Sequence, residues 1–137
     1  MRNILFLFIL SLSWAAYGQG SAGKKKVLLG FDMIYPYKLV EGKRMAKVER
    51  AKKQGYIDEK GEEFVACKYD NIYPWEKGRA KVELAGKYGY INKEGEEFIT
   101  VKYNYIGPFK NGLAVICNIW GKKGLINEQG EEVVPLD

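Results

Sequence analysis

Arg79-Ala80-Lys81-Val82-Glu83-Leu84 alternates charged and apolar residues, and Met45-Ala46-Lys47-Val48-Glu49 nearly repeats the alternation. A period of two is that of a strand with one buried face. Tyr56-Ile57, Tyr90-Ile91 and Phe64-Val65 add aromatic and β-branched residues, which suit a pleated, half-buried surface. Between these stretches the polar positions gather into turns. Asp58-Glu59-Lys60-Gly61, Asn92-Lys93-Glu94-Gly95 and Asn127-Glu128-Gln129-Gly130 each begin with Asp or Asn and end with Gly. That form predicts a type I turn closed by a glycine at positive φ, with the Asx side chain bonding a backbone N–H inside it. Further turns are predicted at Pro74–Gly78, at Pro108–Gly112 and at Ala85-Gly86-Lys87. The expected core comprises Ile57, Val65, Ala80, Val82, Ile91, Ile99, Ala114, Ile116 and Ile126.

The pattern recurs. Gly55-Tyr56-Ile57-Asp58 returns as Gly89-Tyr90-Ile91-Asn92, 34 residues on, and as Gly124-Leu125-Ile126-Asn127, a further 35 on. Pro74, Gly78 and Ala80 match Pro108, Gly112 and Ala114 in the same register. A degenerate first copy aligns Phe31-Asp32-Met33-Ile34-Tyr35-Pro36 with Tyr69–Pro74, and carries four extra residues between Pro36 and Ala46. The units run over about residues 31–66, 69–100 and 103–137. A period of this size also suits paired helices, but the period-two alternation and the mid-unit Pro74 and Pro108 exclude them. The expected fold is all-β: three tandem units of about three short antiparallel strands each, in a curved or twisted meander.

The combined pattern is Gly-aromatic-Ile-Asp/Asn-x-x-Gly, then Lys-Tyr-Asp, then Pro-aromatic-x-x-Gly-x-Ala-x-Val. It resembles the WG-repeat proteins over almost all of residues 31–137. The resemblance implies a β-repeat scaffold of the kind bacteria often export, and supplies no catalytic residues. The chain departs from the family at the Trp of Trp-Gly, where it has Gln54, Tyr88 and Lys123. Its own Trp120-Gly121 lies three residues early.

The N-terminus changes the picture. Arg2 precedes an apolar run over residues 4–14, and Ala15, Ala16 and Gly18 follow. This is the order of a secretory signal peptide, and the run is too short for a spanning helix. Cleavage after Gly18 is expected, leaving residues 19–30 as a tail leading into the first unit. The protein is then periplasmic or extracellular. The net charge of +5 is interspersed with acidic residues rather than gathered on one face. Nucleic acid is therefore not an expected partner, and stable membrane insertion is not expected either. Cys67 and Cys117 occupy different places in the repeat. They either pair in an oxidising compartment or remain two buried thiols.

Candidate chemistry is sparse. There is no histidine, hence no imidazole base or metal ligand, and no Walker-type or calcium loop is present. No cofactor or metal is expected. The glutamate pairs Glu62-Glu63, Glu96-Glu97 and Glu131-Glu132 invite comparison with glycosidase carboxylates. Neighbours on a strand point to opposite faces, however, and the pairs recur in every unit as structure does. They read as the solvated side of turns. The better lead is Tyr37, Trp75 and Phe109, which follow Pro36, Pro74 and Pro108 in equivalent positions. They are either a row of exposed rings for a ligand or caps on the core between units. The expected function is a non-enzymatic binding module for a protein, a peptide or a cell-envelope glycan. The alternatives are a carboxylate-based glycan hydrolase and an assembly role through open sheet edges.

Overall fold

A computed structural model describes residues 30–136. The expected signal peptide and most of the tail lie outside these residues. Within them the chain forms thirteen strands in three antiparallel sheets. The first sheet holds β1 (Met33–Ile34), β2 (Lys38–Val40), β3 (Lys43–Arg50), β4 (Lys53–Asp58) and β5 (Glu63–Tyr69). The second holds β6 (Asn71–Ile72), β7 (Arg79–Leu84), β8 (Lys87–Asn92) and β9 (Glu97–Tyr103). The third holds β10 (Tyr105–Ile106), β11 (Leu113–Cys117), β12 (Lys123–Asn127) and β13 (Glu132–Val134). Each sheet thus has a short extra strand before the expected three, as in the pairing of Ile72 with Val82. The four extra residues of the first copy build β2, which pairs with β3.

The Asx turns form as their residues dictate. Asp58 Oδ1 accepts from the Lys60 and Glu62 N–H groups, both at 2.9 Å, and the Gly61 N–H closes on the Asp58 carbonyl at 2.9 Å. The glycine at strand entry has a different reason. A Cβ at Gly55, Gly89 or Gly124 would collide with the carbonyl of Val65, Ile99 or Val134 on the next strand. Beside each glycine the register shifts, a bulge that brings backbone onto backbone.

The core lies between sheets. Tyr56, Val65 and Tyr69 of the first sheet pack on Ile72, Ala80, Val82 and Ile91 of the second. Tyr90, Ile99 and Tyr103 of the second pack in the same way on Ile106, Ala114, Ile116 and Ile126 of the third. All nine expected core residues are at most 1% exposed. Met45 joins the first of these clusters, while Ala46, Val48 and Ile57 of the first sheet pack on Phe31. Each sheet buries its apolar residues against its neighbour in sequence, the arrangement by which repeat proteins build one core from units too small to have their own.

Polar clamps repeat with the same period. Tyr69 donates to Glu97 and Tyr103 donates to Glu132, each at 2.6 Å. Lys53 pairs with Asp70, and Lys87 donates to Asn104 at 2.8 Å. Asp70 in turn accepts from the Ala85 N–H at 2.8 Å, and its carboxyl is held below its ordinary range by the bond from Lys53. The second glutamate of two of the pairs is therefore more than turn decoration, because it accepts the preceding unit's tyrosine. Glu96 and Glu131 stay within their own turns, bonded to Asn92 and Asn127.

Candidate functional site

The alternation of β3 and β7 places one lysine at each sheet junction. Ala80 and Val82 point back into the core with the first sheet. Lys81, between them, points the other way, and its Nζ donates to the Ile106 carbonyl at 2.9 Å. Lys47 makes the equivalent bond to the Ile72 carbonyl at 3.3 Å. Both lysines are half-buried. Burial pushes both ammonium groups below their ordinary range, an effect that Glu49 partly opposes at Lys47. Neither lysine has an ion-pair partner among the described residues. In the third unit the position holds Val115, which is exposed, and no further sheet follows among the described residues.

Above each lysine lies a groove. That between the first and second sheets has a volume of about 460 Å³, and that between the second and third about 670 Å³. Their linings correspond: Tyr35 with Tyr73, Lys47 with Lys81, Tyr56 with Tyr90, Ile72 with Ile106, and Pro74 with Pro108. Tyr105 adds a further exposed ring to the larger groove. The rim tyrosines are held by glutamates, with Tyr35 donating to Glu49 at 2.9 Å and Tyr73 to Glu83 at 2.8 Å. The bond to Glu83, aided by partial burial, pushes the Tyr73 phenol up to about 12. Both rims therefore stay neutral donors at ordinary pH. The cations differ. Lys38 joins Lys47 in the smaller groove, while Arg79 and Glu76 accompany Lys81 in the larger.

The three rings singled out from sequence are all half-buried, each on a different core cluster. Trp75 meets Tyr56 edge-on at 5.6 Å, and Phe109 meets Tyr90 at 5.5 Å. Arg79 covers Phe109 at 4.1 Å, and the Tyr37 hydroxyl donates to the Asp58 carbonyl at 3.1 Å. Trp75 lines both grooves; Tyr37 and Phe109 line neither. The buried Trp75 indole N–H meets no acceptor in hydrogen-bond geometry. Burial raises the Tyr56 phenol beside it.

Sequence reasoning missed Tyr35, Tyr73, Lys47 and Lys81 as site residues. The signal was present: each lysine stands between two core residues, and the third copy replaces it with Val115. Cys67 and Cys117 are both free thiols. Among the described residues no group of three or more His, Cys, Asp or Glu side chains is placed to hold a metal ion.

A family model, that of the WG containing repeat, matches the chain twice in tandem, over residues 55–88 and 88–118. No curated protein and no solved structure matches it. The two matched segments carry the second sheet and both groove lysines' partner strands, β6 and β10.

Proposed function

The chain belongs to the WG-repeat family, and on that premise we propose that it is an exported, non-enzymatic module that binds an extended ligand along its inter-sheet grooves. The observation that carries this reading is the repetition of one groove at both junctions, with a neutral tyrosine rim, a lysine floor held by a backbone carbonyl and without an ion-pair partner among the described residues, and a proline wall. A polymer with a short chemical repeat meets the same chemistry twice, so weak contacts add through effective concentration. A cell-envelope glycan fits the lining better than an apolar peptide. Ring faces of Tyr73 and Tyr105 stack on sugar faces, while Lys81 and Asn104 address hydroxyl or carboxylate oxygens. Export is supported by the residue order of the first eighteen positions.

The test is binding to arrayed envelope glycans and to extended peptides, with Tyr105→Ala and Lys81→Met as the variants. Trp75→Ala is a poor probe because it opens the core. The reading requires a glycan signal that both variants weaken while the thermal midpoint moves little. Binding that neither variant affects, or release of shortened glycan, would overturn it.

A further inference from the structure

Four Asx turns of one design occur among the described residues. In each, one side-chain oxygen accepts two backbone N–H groups and a glycine closes the bend: Asp58 with Gly61, Asn92 with Gly95, Asn118 with Gly121, and Asn127 with Gly130. Three of them carry polar apex residues, Glu59-Lys60, Lys93-Glu94 and Glu128-Gln129. The fourth joins β11 to β12 and carries Ile119-Trp120, which are 66% and 81% exposed. The turn itself does not require them, since its geometry is set by Asn118 and Gly121 and three polar pairs build the same bend. The equivalent hairpins of the first two units turn on two residues only, Ala51-Lys52 and Ala85-Gly86. The third unit therefore carries a longer tip that exposes two large apolar side chains, at a cost in solubility.

Among the described residues, the charges that directly follow this tip in sequence are positive. Lys122 and Lys123 follow it directly and are exposed. Neither has an ion-pair partner among the described residues. The unit's described acidic residues, Glu128, Glu131 and Glu132, lie at the opposite end of β12. At the base of the hairpin the Asn104 N–H donates to the Cys117 carbonyl, and the Asn104 side chain holds the Lys87 ammonium. Neither Ile119 nor Trp120 lines a groove.

We propose that this tip is a contact site for an anionic lipid surface, with Ile119 and Trp120 entering the headgroup boundary while Lys122 and Lys123 attract the phosphates. An indole is amphipathic and settles at that boundary, and lysines beside an anionic leaflet add attraction that salt screens. Neither contribution alone holds a protein there, and the two together give reversible attachment. A protein partner is the poorer fit, because a two-residue tip offers far less than the roughly 800 Å² per side of a stable complex. A lipid surface has no such minimum. The site does not depend on what the grooves bind.

The experiment uses the chain after removal of the expected signal peptide, residues 19–137, labelled with 5-fluorotryptophan, the Trp120 resonance being assigned by its loss in Trp120→Phe. Vesicles of phosphatidylcholine, alone or with phosphatidylglycerol, carry a nitroxide on the headgroup. With anionic vesicles the nitroxide is expected to broaden Trp120 selectively and Trp75 far less. Co-sedimentation should fall roughly fivefold for each of Lys122→Gln and Lys123→Gln, and most binding should be lost in Ile119→Ser/Trp120→Ser. Attachment through another segment would spare Trp120 and leave the double serine variant bound, which overturns the proposal. A Trp120 resonance that ignores both vesicle types but responds to a purified envelope protein overturns it in favour of a protein site.

Discussion

The Tyr69 hydroxyl, at the end of one sheet, donates at 2.6 Å to the Glu97 carboxylate at the start of the last strand of the next. Tyr103 and Glu132 repeat the bond one unit on. Burial first, and then the bond to the carboxylate, raises both phenols well above their ordinary range. A phenol whose folded pKa exceeds its unfolded value, ordinarily about 10, contributes stability that is complete below that value. The contribution is lost as pH rises through the folded pKa. Tyr69→Phe should therefore cost about 1.5 kcal/mol near neutral pH, the low end for a bond to a charged group, because Lys68 remains 3.4 Å from Glu97. Urea midpoints of the wild type should fall above about pH 10, and those of Tyr69→Phe/Tyr103→Phe should fall less.

Gly95 and Gly86 both have positive φ, at 84° and 76°, but only one is crowded. A Cβ at Gly95 would strike the Phe64 carbonyl of the preceding sheet, whereas nothing lies within 4 Å of one at Gly86. Gly86→Ala should cost about 1 kcal/mol, the left-handed strain alone. Gly95→Ala should cost several times more, because the junction must open. Equal shifts in chemical denaturation would show that Gly95 serves only its own turn.

Lys52 occupies the place of Gly86 in the first unit and has φ of 65°. The hairpin from β3 to β4 thus carries a strained residue where the second unit has glycine. Lys52→Gly should raise stability by about 1 kcal/mol, and Gly86→Lys should lower it by a similar amount. Thermal midpoints of the two variants, moving in opposite directions, check this.

Burial, and then the Glu63 carboxylate, pushes the Cys67 thiol up to about 11. At pH 8 its thiolate fraction should be roughly a hundredfold below that of the unfolded chain. Alkylation followed by peptide mapping should find Cys67 slow in native buffer and fast in urea. Comparable rates would mean that β5 opens on the timescale of the assay.

Period-two alternation and the Asx-x-x-Gly spacing were enough to place the three longer strands of each unit, the turns after Asp58, Asn92 and Asn127, and all nine core residues, because these are local consequences of side-chain order. The short strands β1, β2, β6 and β10 and the turn at Asn118 were missed. What lay beyond local order was not legible. Nothing in Gly89-Tyr90-Ile91 shows that the glycine answers a carbonyl on the next strand, or that sheets separate at Asp70 and Asn104. The glutamate pairs looked uniform, yet Glu97 reaches a tyrosine 28 residues back while Glu96 stays in its turn. Trp75 read as a ring after a proline. Its place between two grooves, and those of Lys47 and Lys81 on their floors, come from how consecutive sheets face one another.

The most direct test of the paired grooves as the binding surface is a ¹⁵N–¹H titration with acidic and neutral envelope oligosaccharides. Shifts should cluster at Tyr73, Tyr88 and Tyr105 in one groove and at Tyr35, Gln54 and Ile72 in the other, and Lys47→Met and Lys81→Met should each silence its own set. Shifts confined to the turns around Glu62, Glu96 and Glu131, or a single set indifferent to both lysines, would contradict the account.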